Sequence, residues 1–345
     1  MTDSLPEEIK PYTSISSKAY EHPADRAATA ALKSIPMLDT VIRKLIEYQY
    51  ERALRQVYLA NSVKVGERQL PALWQHQIGV CRMLDMPQTY DVYVTNNMET
   101  NAGVVGAGQP IVVVNSGLLA QLDGAEQRSV LAHEVAHILS DHVMYLTALD
   151  VLIRAGGSLP FFLGLPWRAV KAVLLEWLRA AELSCDRAET LVVRDPRIVC
   201  RTLMVLAGGT RSQHLDLDAF MQQAMEYENW DDPHDRVRRF FHEIGVTHPF
   251  AVRRASEVMK WVQSGEYDRI VGGDYIRRGE EPPVRAEAGD AFQFYAERFR
   301  RMFEEMGENV TKLGAQVGGL AEQMAEWVRG RGGGGPPPEG DGPYE

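Results

Sequence analysis

The sequence predicts an α+β fold that is mostly α-helical, with a small β-sheet just ahead of its most chemically loaded helix. Three observations predict it. Along most of the chain apolar residues recur at spacings of three and four, the period of a helix with one buried face. Only two short stretches read as strands: residues 90–94, which alternate, and the β-branched run Ile111-Val112-Val113-Val114. Asp123-Gly124-Ala125-Glu126 follows the second strand, and an Asp with a Glu three residues on is the signature of a capping box that opens a helix.

In order, residues 1–22 are polar, carry Pro6 and Pro11, and read as an extended arm. Residues 24–62 read as helical, with Leu38, Ile42, Leu45 and Ile46 in phase, and a second helix covers 70–84. The two strands follow, then the capped helix at about 124–143. Further helices are expected over 169–191, 196–207, 216–229 and 250–264. From 291 the pattern becomes one long amphipathic stripe: Phe292, Tyr295, Phe299, Met302 and Met306, then Val310, Leu313, Val317, Leu320, Met324 and Trp327. Residues 330–345 are rich in Gly and Pro and are expected to be disordered. The expected organisation is an arm (1–22), N-terminal helices (23–87), a catalytic core (88–265), a linker (266–290), the amphipathic segment (291–329) and the tail.

Bulk properties narrow the function. The 345 residues suffice for one large or two small domains, and 45% hydrophobic content supports a real core. A net charge of -10 argues against nucleic acid as the main partner. Cys81, Cys185 and Cys200 offer neither a disulfide framework nor a Cys-x-x-Cys knuckle, which points to a reducing, cytoplasmic setting. The first residues show no basic segment followed by an apolar run, so no secretory signal is expected. The most apolar region, 145–178, is interrupted by Asp150, Arg154, Arg168 and Lys171 and broken by Gly156, Gly157, Pro160 and Pro166, so no membrane span is expected there. The cluster at 159–163 leaves room for peripheral contact with the inner face of a membrane.

The chemistry concentrates in His133-Glu134-Val135-Ala136-His137. Residues i and i+4 share a helix face, so both imidazoles can address one metal ion. Zinc accepts nitrogen ligands and keeps a position for water in catalytic sites. Glu134 sits at the edge of that face, where a general base can take a proton from the attacking water. The flanking Val130, Leu131, Ile138 and Leu139 mark a core helix, and buried histidines need partners. On the next long helix Glu182 and Asp186 are again i and i+4. Glu182 can be the third ligand, and Asp186 can hold the ring of His133 from behind. Cys185 is read as pointing off that face, a small core residue.

These residues resemble the M48 family of zinc metallopeptidases, the HtpX-like and Ste24-like enzymes, over roughly residues 88–260. Asn101-Ala102, the strand from Ile111 to Asn115 with Ser116-Gly117-Leu118-Leu119, the zinc helix with His142 beyond it, Glu182-x-x-x-Asp186, and Thr247-His248-Pro249 with Arg254 carry the likeness. The chain looks like a member without transmembrane helices. The resemblance implies a gluzincin-type core with one Zn2+ per chain on His133, His137 and Glu182, with Glu134 as base. It gives His248 and Arg254 a role as donors to the oxyanion or the substrate backbone. It makes the strand Ile111, Val112, Val113, Val114 and Asn115 the edge that binds substrate as an added strand. From the residues alone, His248 is a turn histidine and His142 a hydrogen-bonded helix-end residue.

The expected function is a metalloendopeptidase that hydrolyses extended or unfolded protein segments. The alternative is a zinc-stabilised binding or scaffold protein whose peptidase site is latent, or self-inhibited by His248 on the metal. Residues 291–329 read either as one or two amphipathic helices packed on the body or as an element for self-association or membrane contact.

Overall fold

A computed structural model describes residues 10–35, 38–47, 50–154, 161–162, 165–229, 250–281 and 293–300. Its elements are α1 (Pro23–Lys33), α2 (Leu38–Glu47), α3 (Tyr50–Asn61), β1 (Ser62–Lys64), α4 (Pro71–Met83), β2 (Val92–Thr95), β3 (Ala102–Val105), β4 (Ile111–Asn115), α5 (Ser116–Leu119), α6 (Gly124–Leu139), α7 (Val143–Arg154), β5 (Phe161–Phe162), β6 (Leu165–Pro166), α8 (Trp167–Val193), α9 (Pro196–Gly208), α10 (Leu217–Asn229), α11 (Ala251–Gln263) and α12 (Glu266–Val271). Residues 293–300 are also helical. The expected class, a mostly helical α+β fold with a small sheet ahead of the histidine-bearing helix, is the one found.

The sheet runs β1-β2-β4-β3, with β2 and β4 parallel and both outer pairings antiparallel. Strand β4 is therefore interior: Val112 and Val114 face one neighbour in register with Val92 and Val94, and the other with Val104 and Ala102. This corrects the expectation that Ile111, Val112, Val113, Val114 and Asn115 form a substrate-binding edge. Both sides of β4 are already hydrogen-bonded, so it has no free backbone to offer. Among the described residues the open edge nearest α6 belongs to β3.

Helix α6 is the centre of the molecule. Asp123 accepts from the Glu126 N–H at 2.8 Å, and the Glu126 carboxylate accepts from the Asp123 N–H at 2.9 Å, the reciprocal capping box read from the sequence. Every residue from Arg128 to His137 is buried, because α4, α8, α9 and the sheet surround the helix. Its C-terminus falls at Leu139, not 143. Asp141 adopts the left-handed conformation at φ 60°, its N–H reaches the Ile138 carbonyl at 3.2 Å, and the His142 N–H reaches the His137 carbonyl at 3.0 Å. This paired closure stops the helix, and it folds His142 back against His137. Helix α7 then departs; α6 and α7 together have the length and composition of a span but meet at 105°. Among the described residues no single helix is long and apolar enough to cross a membrane.

Helix α8 has 27 residues and is roughly 40 Å long. It packs along α6 and α1, and it divides two cores. One core joins α4, α6 and the sheet to the arm residues Tyr12, Ile15 and Tyr20 and to Tyr267 and Ile270 of α12. Within the segment expected to be an arm, Tyr12, Ile15 and Tyr20 are thus packed, with the Ser16 N–H on the Ile276 carbonyl at 3.0 Å. So is the start of the expected linker. The other core joins α1, α2, α7 and α8 to Phe299, the part of the amphipathic segment that lies within the described residues. Residues 301–329 and the tail lie outside them.

Gly117 shows how closely the loops are packed. A Cβ there would lie 2.2 Å from the Met98 carbonyl oxygen, a backbone atom that cannot swing away. The Gly117 N–H is also held by the Asn97 carbonyl at 2.9 Å. Gly117→Ala is expected to cost about 1–3 kcal/mol of stability, read as a lower urea midpoint. An unchanged midpoint would contradict this packing.

Candidate metal centre

The i, i+4 spacing on α6 and on α8 brings four side chains to one point. His133 Nε2 lies 3.3 Å from Glu182 Oε2, and His137 Nε2 lies 3.2 Å from Glu182 Oε1. Two ligand atoms each about 2.0–2.1 Å from one zinc at tetrahedral angles are about 3.3–3.4 Å apart, so these separations fit a shared zinc ion. Both rings turn Nε2 inward because their other nitrogens are held. His133 Nδ1 is 3.2 Å from Asp186 Oδ1 and 3.3 Å from Glu189 Oε2, and His137 Nδ1 is 3.1 Å from His142 Nδ1. Such rear contacts fix ring orientation and tautomer at metal sites.

Cys185 is not turned away, as the sequence reading had it. Its sulfur lies within 4.8 Å of donor nitrogens of both His133 and His137. The reason is helical geometry: Cys185 is three residues after Glu182, and i, i+3 residues are neighbours on one face. Burial, then the nearby carboxylate of Glu182, pushes its thiol well above the usual value. A neutral thiol is a poor zinc ligand, and the carboxylate of Glu182 is the better third donor.

Arg254 enters from the first turn of α11. Its Nε donates to Asp186 Oδ2 at 2.9 Å, its Nη2 to Asp186 Oδ1 at 2.5 Å, and its Nη1 lies 3.0 Å from Glu182 Oε2. A planar fork suits this bidentate grip. The guanidinium is thus turned onto two carboxylates, a geometry that serves charge balance more directly than oxyanion donation. His248 lies outside the described residues.

The electrostatics follow from four buried carboxylates around one guanidinium. Burial pushes the Glu134 carboxyl up to about 7, with Glu182 and Glu189 adding to the rise against His133 and Arg254. Burial would also raise Asp186, but the Arg254 guanidinium outweighs it and holds that carboxyl low. Burial lowers His137 to about 4, which leaves a neutral imidazole able to bind metal. Burial opposes a charge on His133 too, but Glu182, Asp186 and Glu189 together hold its proton well above the ordinary range.

The centre opens into a cavity of about 360 Å³. His133, Glu134, Glu182 and Arg254 line one side, Thr100, Asn101 and Ala102 at the start of β3 another, and Val130, Leu203 and Leu206 an apolar wall.

Two residues escaped the sequence reading. Glu189 continues the stripe of Glu182 and Asp186 at spacings of four and three, accepts from the Ser129 hydroxyl and faces His133; that periodicity was there to be read. Asp25 gave no local signal. It lies on α1, with Oδ2 at 3.3 Å from His142 Nε2. Burial alone would raise its carboxyl, but His142 first, then Ser184 and Thr29, hold it at about 2. Its ordinary value is 3.8, so this stabilisation is complete above that pH and is lost as pH falls from about 4 to about 2. The expected loss is about 2 kcal/mol. Urea unfolding should show it in the wild type and not in Asp25→Asn.

Two histidine nitrogens and a buried carboxylate, with Glu134 on the same cavity, form the kind of donor set a metalloprotease uses, and the comparisons with known proteins point to that class. The family described as Peptidase family M48 matches residues 67–262, more than half of the chain, and the chain belongs to that family. It is similar to the plastoglobule-localized metallopeptidase 48, chloroplastic, of Arabidopsis thaliana, at 34% identity over 257 residues, 73% of this chain and 74% of that protein. A protease HtpX homolog of Aquifex aeolicus is 36% identical over 101 residues, 27% of this chain and 33% of that protein. Protease HtpX homolog 2 of Methanosarcina mazei is 25% identical over 174 residues, 42% of this chain and 58% of that protein. No solved structure matches the chain.

Proposed function

We propose that the chain is a zinc endopeptidase acting on extended or unfolded protein segments. One observation carries the reading: both histidine Nε2 atoms face the two oxygens of Glu182 at 3.3 and 3.2 Å, with Glu134 on the same cleft. When bound, one zinc per chain would polarise the scissile carbonyl and make the attacking water more acidic.

His133, His137 and Glu182 hold the ion, and Asp186 and Glu189 orient the ring of His133. Glu134 takes the proton of the attacking water and returns it to the leaving amine. Arg254 balances Glu182 and Asp186 and fixes the carboxylate of Glu182. The substrate lies in extended form along β3, the end strand of the sheet among the described residues, beside Asn101 and Ala102. The apolar wall of Val130, Leu203 and Leu206 receives an apolar side chain. His248 keeps the role the resemblance gives it, as a donor to the oxyanion or the substrate backbone.

For location, the three buried free thiols support a reducing, cytoplasmic setting. The Arabidopsis relative carries a plastoglobule, chloroplastic location in its name, a different setting for that protein.

The test is cleavage of an unfolded protein and a broad peptide library by the zinc-loaded chain. The account expects internal cleavage that stops with a chelator and returns with zinc. No cleavage by a chain carrying stoichiometric zinc would favour the scaffold alternative.

A further inference from the structure

We infer that Asp25, on α1, is a positioning residue for the metal centre: it holds His142, which holds the ring of His137. This rests on the reading of His137 as a zinc ligand. Asp25 lies outside the matched stretch, which begins at residue 67.

The chain of contacts is closed and buried. The turn after α6 folds His142 against His137, and the two Nδ1 atoms are 3.1 Å apart. If His137 gives Nε2 to a metal, its proton must sit on Nδ1, and that N–H faces His142 Nδ1, which also lies 3.9 Å from the Cys185 sulfur. His142 then carries its own proton on Nε2, which faces Asp25 Oδ2 at 3.3 Å. A carboxylate is the acceptor this tautomer requires. Asp25, His142 and His137 are all buried, so no solvent can replace a missing partner.

Asp25 is itself held in place from two helices. Ser184 Oγ donates to its Oδ2 at 2.6 Å, and Thr29 Oγ1 donates to its Oδ1 at 3.0 Å. Trp177 Nε1 donates to Thr29 Oγ1 at 2.8 Å, and the Trp177 ring stands edge-on to His142 with centroids 5.3 Å apart. Ser184 lies two residues from Glu182 on α8. The same network therefore joins α1 and α8 around His142, which backs one of the three proposed ligands, His137.

The test compares Asp25→Ala and Asp25→Asn with the control Asp39→Ala, which removes a different, part-buried bond, from the Tyr145 hydroxyl to Asp39 Oδ1 at 2.7 Å. The readouts are the zinc Kd by competition with a chromophoric chelator, and the visible spectrum of the cobalt-substituted protein. Asp25→Ala is expected to raise the Kd roughly tenfold or more and to shift the cobalt bands. Asp25→Asn, which keeps an acceptor, should do so less, and Asp39→Ala not at all. A folded Asp25→Ala chain with wild-type Kd and bands overturns the proposal. If Asp25→Ala fails to fold, the nitrogen-15 spectrum of zinc-loaded wild type decides: His142 protonated on Nε2 supports the proposal, and on Nδ1 overturns it. A wild type that binds no zinc overturns the metalloprotease reading itself, an outcome distinct from the others.

Discussion

Glu134→Gln is expected to slow peptide hydrolysis by roughly 10²–10⁴-fold while zinc content stays at the wild-type level. The carboxylate lines the cleft but is not one of the three donors that meet at the centre, so its loss removes proton transfer and leaves metal binding. The same substitution has a second signature in the chelated, metal-free protein. Glu134 titrates at about 7 in the fold against an ordinary value of 4.5, chiefly because it is buried. Between those values the folded state binds more protons than the unfolded one. Wild-type stability therefore falls as pH rises from about 4.5 to about 7 and is level above that. Glutamine does not titrate. The variant should gain on the wild type across that window, reaching an advantage of about 3 kcal/mol at pH 8. Urea midpoints for both proteins at pH 4.5 and 8 check it. An equal difference at the two pH values would show that Glu134 is not held in an apolar, acidic setting.

Arg254→Met should produce the largest loss of stability. The guanidinium contacts both Asp186 and Glu182, the two carboxylates that the His133 ring also touches, and Glu189 lies behind that imidazole. Removing one partner of a buried ionic group leaves uncompensated charge, at a cost of about 3–5 kcal/mol. Zinc should offset part of this, because it supplies positive charge to Glu182. The deficit should be larger in chelator than in saturating zinc. Arg254→Lys should recover only part, since an ammonium cannot grip Asp186 through two parallel bonds. A deficit under about 1 kcal/mol in chelator would contradict the ledger of charges around the centre.

What the sequence made legible was local. The capping box at Asp123 and Glu126 marked the start of α6, and the i, i+4 pairs placed four site residues on two facing helices. What it hid depended on chain crossings. The run Ile111-Val112-Val113-Val114 looks like the important strand because it is so strongly β-branched. Its continuous burial is the mark of an interior strand with neighbours on both sides. The end strand of the sheet, Ala102-Gly103-Val104-Val105, does not stand out, because it opens on two small residues. The end of α6 turned on Asp141 taking a left-handed conformation, which few residues other than Gly adopt readily. Cys185 was misplaced by attention to i+4 alone. Asp25 could not have been found by spacing, because its partners His142 and Ser184 lie on distant segments of the chain.

The most direct test of the account is X-ray absorption at the zinc edge of the purified, zinc-loaded chain. The account predicts one zinc per chain with only nitrogen and oxygen neighbours at about 2.0–2.1 Å, two of them imidazoles, and loss of the bound metal in His137→Ala. A sulfur neighbour at about 2.3 Å would put Cys185 in the place given to Glu182, and a chain that purifies and remains without zinc would contradict the account at its centre.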